Sequence, residues 1–127
     1  MGSTKTVLVV DDSAIIRESV QYGLESIKGW KVLKADTGIS GLATAKQEQP
    51  DVILLDVSMP EMDGITALRE LQRDENTRHI PVIMLTAFSG DEDRRIYGDL
   101  GAAWLISKPF DLIELPNQVA TLLGWDS

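Results

Sequence analysis

The chain predicts a doubly wound α/β domain with five parallel strands and five flanking helices. Three observations carry that expectation. Apolar, β-branched runs alternate with amphipathic segments along the sequence. The runs Thr6–Val10, Val52–Leu55 and Val82–Leu85 are continuously apolar, as expected of strands buried on both faces. Finally, Asp11 and Asp12 follow the first run and Asp56 follows the third. In a parallel sheet, strand carboxyl ends meet at one edge, which is where ligands bind.

The elements follow in order. Thr6–Val10 is the first strand. A helix over about Ala14–Ile27 spaces Ile16, Val20, Leu24 and Ile27 by four, four and three, and Ser13 or Asp12 can cap it. Lys31–Ala35 is more mixed and reads as an edge strand. The second helix covers about Ile39–Gln47. After the Val52–Leu55 strand, a third helix begins past Gly64 and places Ile65, Leu68 and Leu71 on one face. The Val82–Leu85 strand leads to a short helix, about Asp91–Asp99, and Trp104–Ile106 forms the last strand. A fifth helix over about Leu112–Leu123 stops at Gly124, a favoured residue just past a helix end. Asp111 and Glu114 resemble a capping box. Pro116 complicates that element, because it removes a hydrogen bond; the helix starts there instead, or bends there. Right-handed crossovers put helices on both faces of the sheet.

The 127 residues suit one domain, read as residues 1–127 with a core over about 6–123. A domain of this size buries roughly two-thirds of its unfolded surface and needs no disulfide or structural metal. Cys is absent, which fits a reducing compartment. No apolar run reaches the roughly 18 residues of a membrane span, and Met1–Lys5 lacks an apolar signal region. A cytoplasmic protein is the expectation. The net charge of -8 argues against phosphate-backbone binding to nucleic acid and against an anionic membrane surface.

Three clustered carboxylates repel one another strongly unless a cation sits among them. Asp11, Asp12 and Asp56 therefore predict a cation site. Magnesium takes few carboxylates, keeps waters and pairs with phosphate oxygens; zinc lacks its ligands in a chain with one His and no Cys. Lys108 follows the fifth strand and reaches the same edge, where an ammonium neutralises carboxylate or grips phosphoryl oxygens. Thr86 ends the fourth strand with a hydroxyl that can donate to an anion. Each residue alone has a plainer explanation: a turn or cap for the aspartates, a strand end for Thr86, a solvated charge for Lys108. Their convergence at four strand ends favours carboxylate attack on phosphorus. Asp51 and Asp63 read as turn residues beside Pro50 and Gly64.

The motifs Val9-Val10-Asp11-Asp12-Ser13, Leu54 to Gly64, Pro81 to Ala87, Gly101-Ala102 and Lys108-Pro109-Phe110 resemble the receiver domain of two-component response regulators. The resemblance runs from Thr6 to about Leu123. It implies the flavodoxin-like strand order 2-1-3-4-5. It implies Asp56 as phosphoacceptor and Mg²⁺ as cofactor, held by Asp11, Asp12, Asp56 and the Ser58 backbone carbonyl. Thr86, Ala87 and Lys108 become the phosphoryl-binding and switch positions, with a cis Lys108–Pro109 peptide. The implied partners are a sensor histidine kinase or a histidine phosphotransfer protein, and an effector reading helix four, strand five and helix five. Partner choice would rest on exposed residues of helix one and the following loops. The resemblance also implies a signalling phosphoacceptor, not an enzyme acting on other substrates.

Some residues depart from the pattern. The usual switch aromatic, three positions before the lysine, is Leu105 here. Trp104 beside it reads as a partly buried packing residue, with a surface anchor as the alternative. The resemblance implies that Phe88, two positions after Thr86, would border the path of attacking water, so slow self-hydrolysis is the expectation. His79 reads as a solvated loop residue, Trp30 and Trp125 as packing residues, and Glu92 to Arg95 as the wet face of helix four. A Mg²⁺-dependent phosphohydrolase usually places a second Asp where Ser58 stands. An FMN carrier needs a Ser/Thr/Gly-rich phosphate loop after strand one, where Asp11-Asp12-Ser13 would repel phosphate.

Overall fold

A computed structural model describes residues 4–57, 63–87 and 90–125 of the chain. Five parallel strands, β1 (Thr6–Val10), β2 (Lys31–Ala35), β3 (Val52–Asp56), β4 (Val82–Thr86) and β5 (Trp104–Ser107), lie in the order β2-β1-β3-β4-β5. The helices between and after them are α1 (Ala14–Lys28), α2 (Gly38–Glu48), α3 (Gly64–Arg73), α4 (Asp91–Asp99) and α5 (Leu115–Leu123).

Strand alternation sorts the core into two layers. Val7, Val9, Leu54, Ile83, Leu85 and Ile106 face α1 and α5, meeting Val20, Leu24, Leu115 and Val119. Leu8, Val10, Ile53, Leu55 and Met84 face the other way, onto Ala45 of α2, Ala67, Leu68 and Leu71 of α3, and Tyr97 of α4. Each such aliphatic side chain contributes about 1.5–3 kcal/mol when fully buried. The edge reading of Lys31–Ala35 agrees with the position of β2, whose Lys31 and Lys34 are exposed.

Local chemistry sets the helix ends. Ser13 Oγ accepts from Ile16 N at 3.3 Å and caps α1. Thr37 and Ser40 form a reciprocal capping box on α2. Asp63 caps α3 through Thr66 N at 2.8 Å. Asp51 ties two strands together instead of closing a turn only, accepting from Thr6 N at 2.8 Å.

Five expectations need correction. The fifth helix begins at Leu115, not Leu112, and Pro116 occupies its first turn without an intrahelical bond to lose. Asp111 instead closes a preceding turn, its Oδ1 accepting from Ile113 N at 2.8 Å and Glu114 N at 3.3 Å. The last three strands each run one residue further than their apolar runs, taking in Asp56, Thr86 and Ser107. Ile27, on the apolar stripe of α1, is 45% exposed, because it lines a surface groove with Tyr22, Leu112 and Ile113. Trp104 is 47% exposed on the edge strand β5, so the surface reading holds for it.

Candidate phosphoryl and metal site

The β1, β3, β4 and β5 ladders are in register so that the strand ends converge. Val10 pairs with Leu55, Asp56 with Leu85, and Thr86 with Ser107. Backbone bonds continue past the strands: Val57 N donates to Leu85 O at 3.2 Å and Lys108 N to Thr86 O at 2.8 Å. Asp11, Asp56, Thr86 and Lys108 therefore start from one connected backbone. Asp11, Asp56 and Thr86 are buried, Lys108 is partly buried, and Asp12 and Ala87 are exposed. The Lys108–Pro109 peptide is cis, as the resemblance implies.

The carboxylates of Asp11, Asp12 and Asp56 each offer an oxygen, and these lie within 4.8 Å of one another. Lys108 Nζ donates to Asp56 Oδ1 at 2.7 Å and stands 3.6 Å from Asp11 Oδ2. Asp11 Oδ1 accepts from Ser13 N at 2.9 Å. Its other oxygen, Oδ2, is buried and accepts no hydrogen bond from the described residues. Burial pushes the Asp11 carboxyl above its usual range; the charges of Asp56 and Asp12 push the same way, against the Ser13 N–H and Lys108. For Lys108, burial disfavours the ammonium, but its hydrogen bond and charge pairing with Asp56, and the charge of Asp11, prevail and raise its pKa.

A buried carboxylate oxygen that accepts no hydrogen bond from the described residues, beside two more carboxylates, is a donor set for a hard divalent cation. Magnesium fits it by chemistry: every donor is oxygen, and one acid stays solvent-facing for a hydrated ion. Asp11, Asp12 and Asp56 would hold it. The Ser58 carbonyl and the Phe88 ring lie outside the described residues.

Gly64 secures the approach to Asp56. Its N–H donates to Val57 O at 2.8 Å. A Cβ at Gly64 would stand 2.3 Å from the Asp56 carbonyl oxygen and 2.6 Å from Val57 Cα. Leu105 packs into the α2–α3–α4 layer, and the buried ring in that layer is Tyr97 of α4. Tyr97 and Leu105 line one groove, about 240 Å³, with Arg94 and Trp104.

Sequence reasoning overlooked Arg17, which reaches back from α1 so that Nη1 donates to the Asp11 carbonyl at 2.7 Å. The available signal was its position one helical turn past the cap, with the carboxylates just before that cap.

Outside the site, His79 is exposed in the turn before β4, as expected. Trp30 and Trp125 pack together, their ring centroids 5.2 Å apart and edge to face. Lys5 Nζ lies 5.0 Å over the Trp125 ring. No helix among the described residues is long and apolar enough to cross a membrane.

Comparison with known proteins agrees with this fold. The chain is 43% identical over 117 residues to the DNA-binding dual master transcriptional regulator RpaA of Synechocystis; the match covers 92% of this chain and 48% of RpaA. It thus spans about half the length of that relative. The Vibrio cholerae chemotaxis response regulator CheY4 superposes with a TM-score of 0.88 at 31% identity, covering 94% of this chain and 99% of that one. The receiver domain of the Pseudomonas aeruginosa sensor histidine kinase PA1611, solved with magnesium coordinated in its active site cleft, gives 0.83 at 30% identity, covering 96% and 99%. The family model of the response regulator receiver domain matches residues 7–120, and the chain belongs to that family.

Proposed function

We propose that the chain accepts a phosphoryl group on Asp56 from a phosphohistidine and thereby switches between two conformations. The observation that carries this is the Lys108 ammonium 2.7 Å from Asp56 Oδ1, inside a cluster of three acids. A carboxylate buried at a strand end is a poor place for an anion unless cations face it.

In the proposed step, an Asp56 carboxylate oxygen attacks phosphorus as the phosphorus–nitrogen bond of the donor histidine breaks. The bond pair leaves with the imidazole nitrogen, which then takes a proton. Lys108 neutralises charge on the phosphoryl oxygens, and the Thr86 hydroxyl donates to one of them. Ala87, exposed after β4, offers its backbone N–H to the same group. Asp11 and Asp12, with Asp56 and the Ser58 carbonyl, would hold Mg²⁺. When bound, that ion neutralises the acids and the developing phosphoryl charge. Magnesium in the PA1611 receiver cleft supports this assignment. Water attack on the aspartyl phosphate returns the resting state; Phe88 is proposed to slow it.

The proposed partners follow from surfaces beside this edge. Ile15, Tyr22 and Ile113 are exposed apolar residues on α1 and the turn before α5. An apolar groove lined by Ile16, Ala87, Lys108, Pro109, Phe110 and Leu112 lies beside them. A histidine kinase or histidine phosphotransfer protein would dock there. The effector would read α4, β5 and α5, where Ile96 and Trp104 are exposed. Thr86 gaining a charged partner would bias that face through β4 and β5. We place this chemistry in the cytoplasm and assign residues 1–127 to one receiver domain.

The test is an amide chemical-shift titration with Mg²⁺ and beryllofluoride, a mimic of the bound phosphoryl group. Shifts around Asp56, Thr86 and Lys108 that need both additives, and that vanish in Asp56→Asn, are expected. A folded wild-type protein that shows no such response refutes the mechanism.

A further inference from the structure

We propose that Arg17 is a positioning residue for the cation site, fixing the Asp11–Asp12 peptide so that both carboxylates face the cluster; this rests on the site reading above. Three observations lead to it.

The first is a tally of the polar atoms of Asp11. Its N donates to Ala35 O at 3.1 Å, its Oδ1 accepts from Ser13 N at 2.9 Å, and its carbonyl accepts from Arg17 Nη1 at 2.7 Å. The remaining polar atom is Oδ2, the buried oxygen in the acid cluster. Arg17 thus supplies the last restraint on the residue.

The second is where that restraint acts. The Asp11 carbonyl belongs to the peptide that carries Asp12. Asp12 is exposed, so packing does not place its side chain. A rotation of that peptide by a few tens of degrees would swing the Asp12 carboxylate off the cluster, and ligand sets tolerate about 10–20°. The guanidinium bond across the turn resists this rotation.

The third is electrostatic. Arg17 sits in the first turns of α1, where the helix dipole disfavours a cation. A nearby guanidinium also repels a divalent ion. The charge of Arg17 therefore works against metal binding, whereas its hydrogen bond works for it. The two roles predict opposite signs for its removal.

The experiment is calorimetric Mg²⁺ titration of wild type, Arg17→Gln and Arg17→Lys, with each Tm measured in EDTA. Support comes from Arg17→Gln binding Mg²⁺ about tenfold more weakly, the scale expected when a partner that orients metal ligands is lost. Its Tm in EDTA should stay near that of wild type. Arg17→Lys, which keeps the charge and has a shorter reach, should fall between the two. Unchanged or tighter binding by Arg17→Gln overturns the proposal. Should Arg17→Gln fail to fold, Arg17→Lys decides: a several-fold loss at unchanged charge supports the role, and wild-type affinity overturns it. A wild-type protein that binds no Mg²⁺ refutes the site and this role together; wild-type binding with an indifferent Arg17→Gln refutes the role alone.

Discussion

The two ends of the sheet are built on opposite terms. At the carboxyl end, three acids crowd one lysine, and a buried carboxylate oxygen of Asp11 has no hydrogen bond from the described residues. At the amino end, Trp30 and Trp125 meet edge to face, Lys5 lies over the Trp125 ring, and Asp51 satisfies Thr6 N. One end accumulates unfavourable electrostatics that a bound cation would relieve; the other ties both ends of the described chain to the sheet. The difference teaches that stability and chemistry are separable here by position along the strands.

The largest expected effect tests the stabilising end. Trp30→Ala should cost about 3–5 kcal/mol in urea unfolding, while the Mg²⁺ affinity of the folded protein stays unchanged. A parallel loss of Mg²⁺ affinity would break the separation. Next comes Gly64→Ala, on the chemical side. Its methyl would collide with the Asp56 carbonyl and Val57 Cα, so we expect about 1–3 kcal/mol of destabilisation. The beryllofluoride response should weaken as well, since Asp56 itself must shift.

Asp11→Asn should act in the opposite direction. The folded-state pKa of Asp11 is raised above 3.8, so its ionisation opposes folding at neutral pH. Without divalent ions, the variant should unfold at a higher temperature than wild type. That gain should shrink as pH falls through the folded pKa toward 3.8, because both proteins are then neutral at this position. Added Mg²⁺ should stabilise wild type and not the variant. Lys108 has the complementary sign: its raised pKa contributes stability below 10.5 that is lost as pH climbs through the folded value. The smallest effect belongs to Lys5→Ala, which should cost no more than about 1 kcal/mol in thermal unfolding. A much larger loss would show that the cation over Trp125 outweighs the tryptophan pair.

Much of this was legible in the sequence because burial leaves a strong pattern. The runs in β1, β3 and β4 are apolar for the plain reason that both faces are covered. Their last residues were harder to assign: Asp56, Thr86 and Ser107 continue the ladder, yet their polarity reads as a strand end. Leu112 and Ile113 misled in the other direction. They mimic a helical face, but they sit in the turn closed by Asp111, and Pro116 marks the true start of α5. The acids, Thr86 and Lys108 were readable because several polar residues converge on one edge. Arg17 was not, because its role lies in a bond to a backbone carbonyl, which no residue pattern encodes. Tyr97 escaped for a similar reason. Nothing in the α4 sequence says which of its residues will pack into the layer that holds Leu105.

The placement of the three tryptophans also bears on optics. Trp30 and Trp125 share one environment at the end remote from the acids, where they touch each other. Trp104 stands half in solvent on the β5 edge, beside the groove that Leu105 and Tyr97 line. Intrinsic emission therefore carries two separable signals. The coupled pair follows loss of the whole fold, and the lone indole is sensitive to events on the α4–β5 face. A protein carrying Trp104 alone would report on changes at that face with no attached dye.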